Sequence, residues 1–216
     1  MRRAQYAKNK DTINAQKRAA YAARRLREKK ARGILKDNQN RYLTVTEESV
    51  ERVTAFRCQL LDEIGQENLS QAHKNLLKEA MGHDTGVEVA QCLRVDMQLI
   101  GGTIVGDERA SVKIPDYSIP YIAMHTHPSG LTFSPNDIAA FAKRKNMRML
   151  TAVGNNGVVY ALERGSDCDE YAILDLSTRL NSRIFESRTK KEVIEALNEF
   201  FEEARKYGVQ YYTTEN

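Results

Sequence analysis

Between residues 84 and 165 the hydrophobic pattern changes period, and this restricts the fold more than any other feature of the chain. Runs at 87–95, 98–105, 111–114 and 121–125 are short and rich in Val, Ile and Leu. Asp96, Gly106-Asp107 and Pro115-Asp116 separate them and are good turn residues. A helix is predicted from Ser134, with Ile138, Ala139, Phe141 and Ala142 on its apolar side. Strands at 149–153 and 158–162 follow, joined by Gly154-Asn155-Asn156-Gly157, a strong hairpin signal. Three or four strands, one helix and two more strands predict an α+β fold, a mixed β-sheet with flanking helices.

The flanks are helical in pattern. Residues 41–83 read as a helical pair. In the first helix Val50, Val53, Phe56, Leu60, Leu61 and Ile64 share one stripe, introduced by Thr44 or Thr46 with Glu47 nearby. Ser70 is expected to open the second helix, which carries Leu76, Leu77, Ala80 and Met81 and stops near Gly82. His73 on that helix has no partner at ligand spacing, and a structural or exposed role is expected. Residues 166–216 read as C-terminal helices packing on the domain. One is marked by Ile173, Leu176, Leu180 and Ile184. In the other, Thr189 and Glu192 form a capping box ahead of Val193, Leu197, Phe200, Phe201 and Ala204, and Gly208 ends it.

Residues 1–40 differ in kind. They carry 13 Lys/Arg against 3 Asp/Glu, whereas the remaining 176 residues carry 20 against 26. The segment around Ala19–Lys30 favours helix, but its apolar face is only alanines, Leu26 and Ile13. It reads as a basic helical or disordered arm, either binding nucleic acid or another acidic partner or remaining a solvated tail. Its Asn9–Arg18 stretch faintly resembles basic helical segments of phage and mobile-element proteins.

Composition removes several function classes. No stretch approaches the roughly 20 apolar residues that span a bilayer, and the basic N-terminus has no apolar core behind it, so a cytoplasmic protein without membrane partners is expected. Cys58, Cys92 and Cys168 form no CxxC pair, and their odd number argues against a disulfide framework. Cys58 and Cys92 sit among apolar residues, while Cys168, between Asp167 and Asp169, is expected to be exposed with its thiolate disfavoured.

The chemistry concentrates in Ile122-Ala123-Met124-His125-Thr126-His127-Pro128-Ser129-Gly130-Leu131-Thr132-Phe133-Ser134-Pro135-Asn136-Asp137. His125 and His127 end an apolar strand, and alternation turns both imidazoles to one face. Pro-Ser-Gly redirects the chain, and Asp137, one turn into the next helix, can point back at them. Two imidazoles and a carboxylate with a fourth position open to water make a catalytic zinc set. Ser134-Pro135-Asn136-Asp137 is equally a good helix start, with Ser134 as N-cap and an acid at the third position. Capping and metal binding therefore compete for the geometry of Asp137.

His-Thr-His-Pro followed by Ser-x-x-Asp resembles the JAMM (MPN+) zinc metalloproteases, which include isopeptidases, and the related RadC-type proteins. The resemblance covers residues 84–165. It implies the cytidine-deaminase-like JAB/MPN fold, with Zn2+ bound by His125, His127 and Asp137 and a peptide or isopeptide bond of a protein substrate hydrolysed. It also implies that Ser134 helps hold the tetrahedral intermediate and that a glutamate on the domain's first strand is the general base. Glu88 matches that placement. Glu108 is the rival, in what reads as a Gly106-Asp107-Glu108-Arg109 turn. The family leaves ten residues between the second histidine and the aspartate, and here nine stand between them. The alternative is a non-catalytic MPN-like or RadC-like module, nucleic-acid-associated through the basic arm.

Overall fold

A computed structural model describes residues 42–215, so the arm predicted at 1–40 lies outside the described residues. Six strands form one mixed, open sheet. They are β1 (Val87–Arg94), β2 (Leu99–Arg109), β3 (Tyr121–His127), β4 (Met147–Gly154), β5 (Val159–Arg164) and β6 (Val209–Thr213), ordered β2-β1-β3-β4-β5-β6. All neighbours are antiparallel except β3 and β4, which run parallel. The crossover between those two carries α3 (Pro135–Lys143), which follows the histidine strand after the loop at 128–134, and the histidine strand lies near mid-sheet. Before the sheet come α1 (Glu47–Arg52) and α2 (Glu63–Met81); after β5 come α4 (Glu170–Glu186) and α5 (Lys190–Arg205).

Strand alternation separates two cores. Val89, Leu93, Ile122, Met124, Met149 and Val153 face α1 and α2, joining Val50, Leu69, Leu76 and Leu77. Cys92, Tyr121, Ala123, Leu150 and Leu162 face the other way, toward Ile138 and Phe141 of α3, Ile173 and Leu176 of α4, and Phe200 and Phe201 of α5. His73 is fully buried in the first core, where its Nε2 meets Thr151 Oγ1 at 2.9 Å, and the structural expectation for it holds.

Several elements differ from the sequence expectation. Residues 111–114 form no strand. β2 runs on through Gly106 to Arg109, and the following chain touches it only through the single bridge Glu108–Ser111. Gly106 serves close approach instead of a turn, since a side chain there would meet the Ser111 carbonyl oxygen at 2.1 Å. The stripe from Val50 to Ile64 is no single helix: residues 53–62 are irregular chain between two helices. α1 ends at Arg52 and α2 begins at Glu63, not Ser70, because the Asp62 carboxylate accepts the Gly65 N–H at 2.8 Å. Ile64 is 69% exposed as a result. β6, absent from the expectation, adds a strand to β5. The capping boxes at Thr46 and at Thr189/Glu192 and the β4–β5 hairpin form. Cys168 is half-buried, not exposed, with an Arg164 Nη1 donor 3.3 Å from its sulfur; burial raises its thiol pKa, with Arg164 opposing. Among the described residues no helix is long and apolar enough to cross a membrane.

Candidate metal centre

The centre is built at the C-terminal end of β3. His125 pairs across β1 with Ala90, so Glu88, two residues earlier, and His127, two residues later, share the face of His125. The Thr126 hydroxyl, on the opposite face, accepts the Val89 N–H at 3.0 Å and extends the β1–β3 contact to the level of Glu88. Both histidines and Glu88 are buried.

The turn after His127 is pinned from several sides. Gly130 N–H donates to the His127 carbonyl at 2.9 Å, with Gly130 in the left-handed region at φ +69°. Leu43 N–H donates to the Pro128 carbonyl at 2.7 Å, and the Tyr160 hydroxyl donates to the Gly130 carbonyl at 3.2 Å. Tyr211, on β6, meets the Thr132 hydroxyl at 3.3 Å. The strand missed in the sequence therefore helps hold the site. Val209, Tyr211, Tyr212 and Thr213, directly after the helix-stopping Gly208, were its available signal.

Ser134 caps α3, and its side-chain oxygen accepts the Asp137 N–H at 3.3 Å. Asp137 Oδ2 in return accepts the Ser134 backbone N–H at 2.7 Å and the Ser134 hydroxyl at 2.6 Å. The same carboxylate also faces the histidines, with Oδ1 3.5 Å from His125 Nε2 and Oδ2 3.4 Å from His127 Nε2. Capping and approach to the imidazoles, expected to compete, coexist because Oδ2 caps the helix while still facing His127, and Oδ1 is left to face His125. The nine-residue spacing is long enough to bring Asp137 to both rings.

The two Nε2 atoms are 2.9 Å apart, and the ligand atoms of His125, His127 and Asp137 lie within 4.8 Å of one another. His127 Nδ1 donates to the Leu131 carbonyl at 2.8 Å, which reserves its Nε2 for the centre. Donor atoms converging in this way could hold a metal ion. Tetrahedral zinc with bonds of ~2.0–2.1 Å separates its ligand atoms by ~3.3–3.4 Å; the histidine–carboxylate separations of 3.5 and 3.4 Å match this, and the two Nε2 atoms at 2.9 Å need only part slightly for the residues to fit the metal.

The charges of the centre are mutually coupled. Burial pushes the Asp137 carboxyl upward, but His125 and His127 outweigh it and hold the group well below the usual carboxylate range. Burial alone would depress His127, yet Asp137, Glu88 and the Leu131 carbonyl raise it from 6.5 to about 9. Burial raises Glu88, and His127 and His125 partly oppose the rise. Glu88 thus lies in the field of the centre, whereas Glu108 is exposed and sits within β2, not in a turn. A groove of about 350 Å³ opens beside the centre, with Glu88, His127, Ser134 and Asp137 in its wall.

Compared with protein-family models, curated proteins and solved structures, the chain matches none.

Proposed function

We propose that the chain is a zinc-dependent metallopeptidase of the JAMM type, with the JAB/MPN fold, hydrolysing a peptide or isopeptide bond. The observation that carries this reading is the convergence of His125 Nε2, His127 Nε2 and the Asp137 carboxylate at the rim of a groove that Glu88 also lines. Bound there, zinc supplies a Lewis acid and lowers the pKa of water toward ~7. Glu88, made more basic by burial, accepts the proton of the attacking water and passes it to the leaving amine. Ser134 orients Asp137 in the resting arrangement. Turned away from that carboxylate, its hydroxyl hydrogen stabilises the oxyanion of the tetrahedral intermediate. The apolar walls of the groove exclude water from the scissile bond.

Glu88→Gln tests the assignment, because the amide keeps the shape and cannot take the proton. The variant should retain wild-type metal content and lose about 10²–10⁴-fold in hydrolysis of a peptide the native chain cleaves. Wild-type turnover in Glu88→Gln would remove Glu88 from the reaction. A metal-loaded native chain that cleaves no member of a broad peptide and isopeptide panel would favour the non-catalytic module.

A further inference from the structure

The groove beside the metal centre is electrostatically divided. Its two acidic residues, Glu88 and Asp137, both belong to the centre, while Lys113, Arg144 and Lys190 stand on the remaining walls. Between them the lining is apolar, formed by Ile114, Leu131, Phe133, Leu150, Ile194 and Leu197. Leu131 and Ile194 are 39% and 45% exposed, so this surface is open to a ligand.

Arg144 is the unusual member. It follows the last turn of α3 and is half-buried. Its Nη1 is out of contact with solvent and has no hydrogen-bond partner, and among the described residues no carboxylate pairs with it. Asp116, whose carboxylate lies near Tyr121, accepts the Tyr121 hydroxyl at 3.1 Å. Arg164 makes a useful contrast. Equally lacking an acid and more deeply buried, it is satisfied by the Phe141 carbonyl at 2.7 Å and by the Phe141 ring. A half-buried guanidinium with an unpaired Nη1 and no counter-ion is costly, and an anion reaching its remaining nitrogens from the groove relieves part of that cost. Its planar fork matches a carboxylate with two parallel hydrogen bonds. Two further cations on the walls favour a segment bearing acidic side chains over a single chain terminus.

We propose that this groove is a substrate subsite for an acidic polypeptide segment, with Arg144 anchoring a glutamyl carboxylate and the apolar walls holding its methylene stem. The inference rests on the hydrolase reading for the word substrate, but binding itself needs no turnover.

An NMR titration of the full-length zinc-loaded chain, reading binding and hydrolysis in the same tube, tests it. The probes are N-acetylated, C-amidated Ala-Glu-Leu-Ala, its Gln counterpart, and the Gln peptide with a free terminal carboxylate. The Glu peptide should bind about tenfold more tightly than capped Gln. Arg144→Gln should erase that preference without changing affinity for the Gln peptide, and Arg144→Lys should restore part of it. The proposal is overturned if Glu and Gln peptides bind alike, if the Glu peptide shows no saturable binding up to about 10 mM, or if Arg144→Gln keeps the preference. It is equally overturned if the free-terminus peptide alone binds tightly. Glu-selective binding with no hydrolysis of these probes or of the broad peptide and isopeptide panel would sink the peptidase reading and leave the subsite standing. Hydrolysis indifferent to Glu would do the reverse.

Discussion

Asp137 closes a helix cap and faces two imidazoles with one carboxylate, and Ser134 makes both possible. The Ser134 N–H and hydroxyl fix Oδ2, which leaves Oδ1 directed at His125. Ser134→Ala should therefore cost about 1 kcal/mol as a lost N-cap and weaken metal binding about 10–100-fold as a lost orienting bond. Competition with a chromophoric chelator reads the second effect, and Ser134→Thr should recover most of it. Unchanged metal affinity in Ser134→Ala would reduce Ser134 to a cap. At this scale the histidines were legible because strand alternation alone aligns residues two apart. That one carboxylate serves two roles was not legible, because it depends on side-chain torsions and on which oxygen each partner takes.

At the scale of elements, the site depends on how α3 is held against the sheet. Arg164, at the end of β5, donates to the Phe141 carbonyl at 2.7 Å, lies over the Phe141 ring and reaches the Met147 carbonyl at 3.4 Å. A cation under the last turn of α3 also suits the helix dipole. Arg164→Met should cost about 2–3 kcal/mol, read as a lower urea midpoint, since it removes a charged donor from the Phe141 and Met147 carbonyls. Arg164→Lys should not repair the loss, because a single ammonium cannot reproduce the fork. A midpoint within error of wild type would show that α3 is held by packing alone. Helix caps were the most legible elements, because Thr46, Ser134 and Thr189 each act within three residues. Residues 111–114 were misread because β-propensity without a partner edge makes no strand. The stripe from Val50 to Ile64 was misread because apolar residues bury in irregular chain as well as in helices; Val53 and Leu61 do so.

For the whole molecule, one sheet keeps two jobs apart. Its α3–α5 face ends in the candidate metal centre, and its α1–α2 face is a core that buries the polar pair His73 and Thr151. Burial depresses His73 from 6.5 to about 3. The unfolded chain takes up that proton below 6.5 and the folded chain does not until about 3, so the unfolded state binds more protons between those values. Stability from this group is therefore complete above 6.5 and is lost as pH falls, at up to about 1.4 kcal/mol per pH unit. The double variant His73→Leu with Thr151→Val, which removes both polar partners, should flatten the stability profile between pH 3 and 6.5 relative to wild type. An unchanged slope would place the acid sensitivity elsewhere. The two-faced sheet was legible from strand periodicity and order; the pairing of His73 with Thr151, 78 residues apart, was not, because long-range contacts leave no local pattern. The central claim concerns the other face. Elemental analysis of the full-length chain, purified without chelator beside His125→Ala and Asp137→Ala, tests it most directly. With zinc bound as proposed, the wild-type chain holds about one zinc and both folded variants lose it. A folded wild-type chain that holds no zinc and takes up none when it is supplied would contradict that claim.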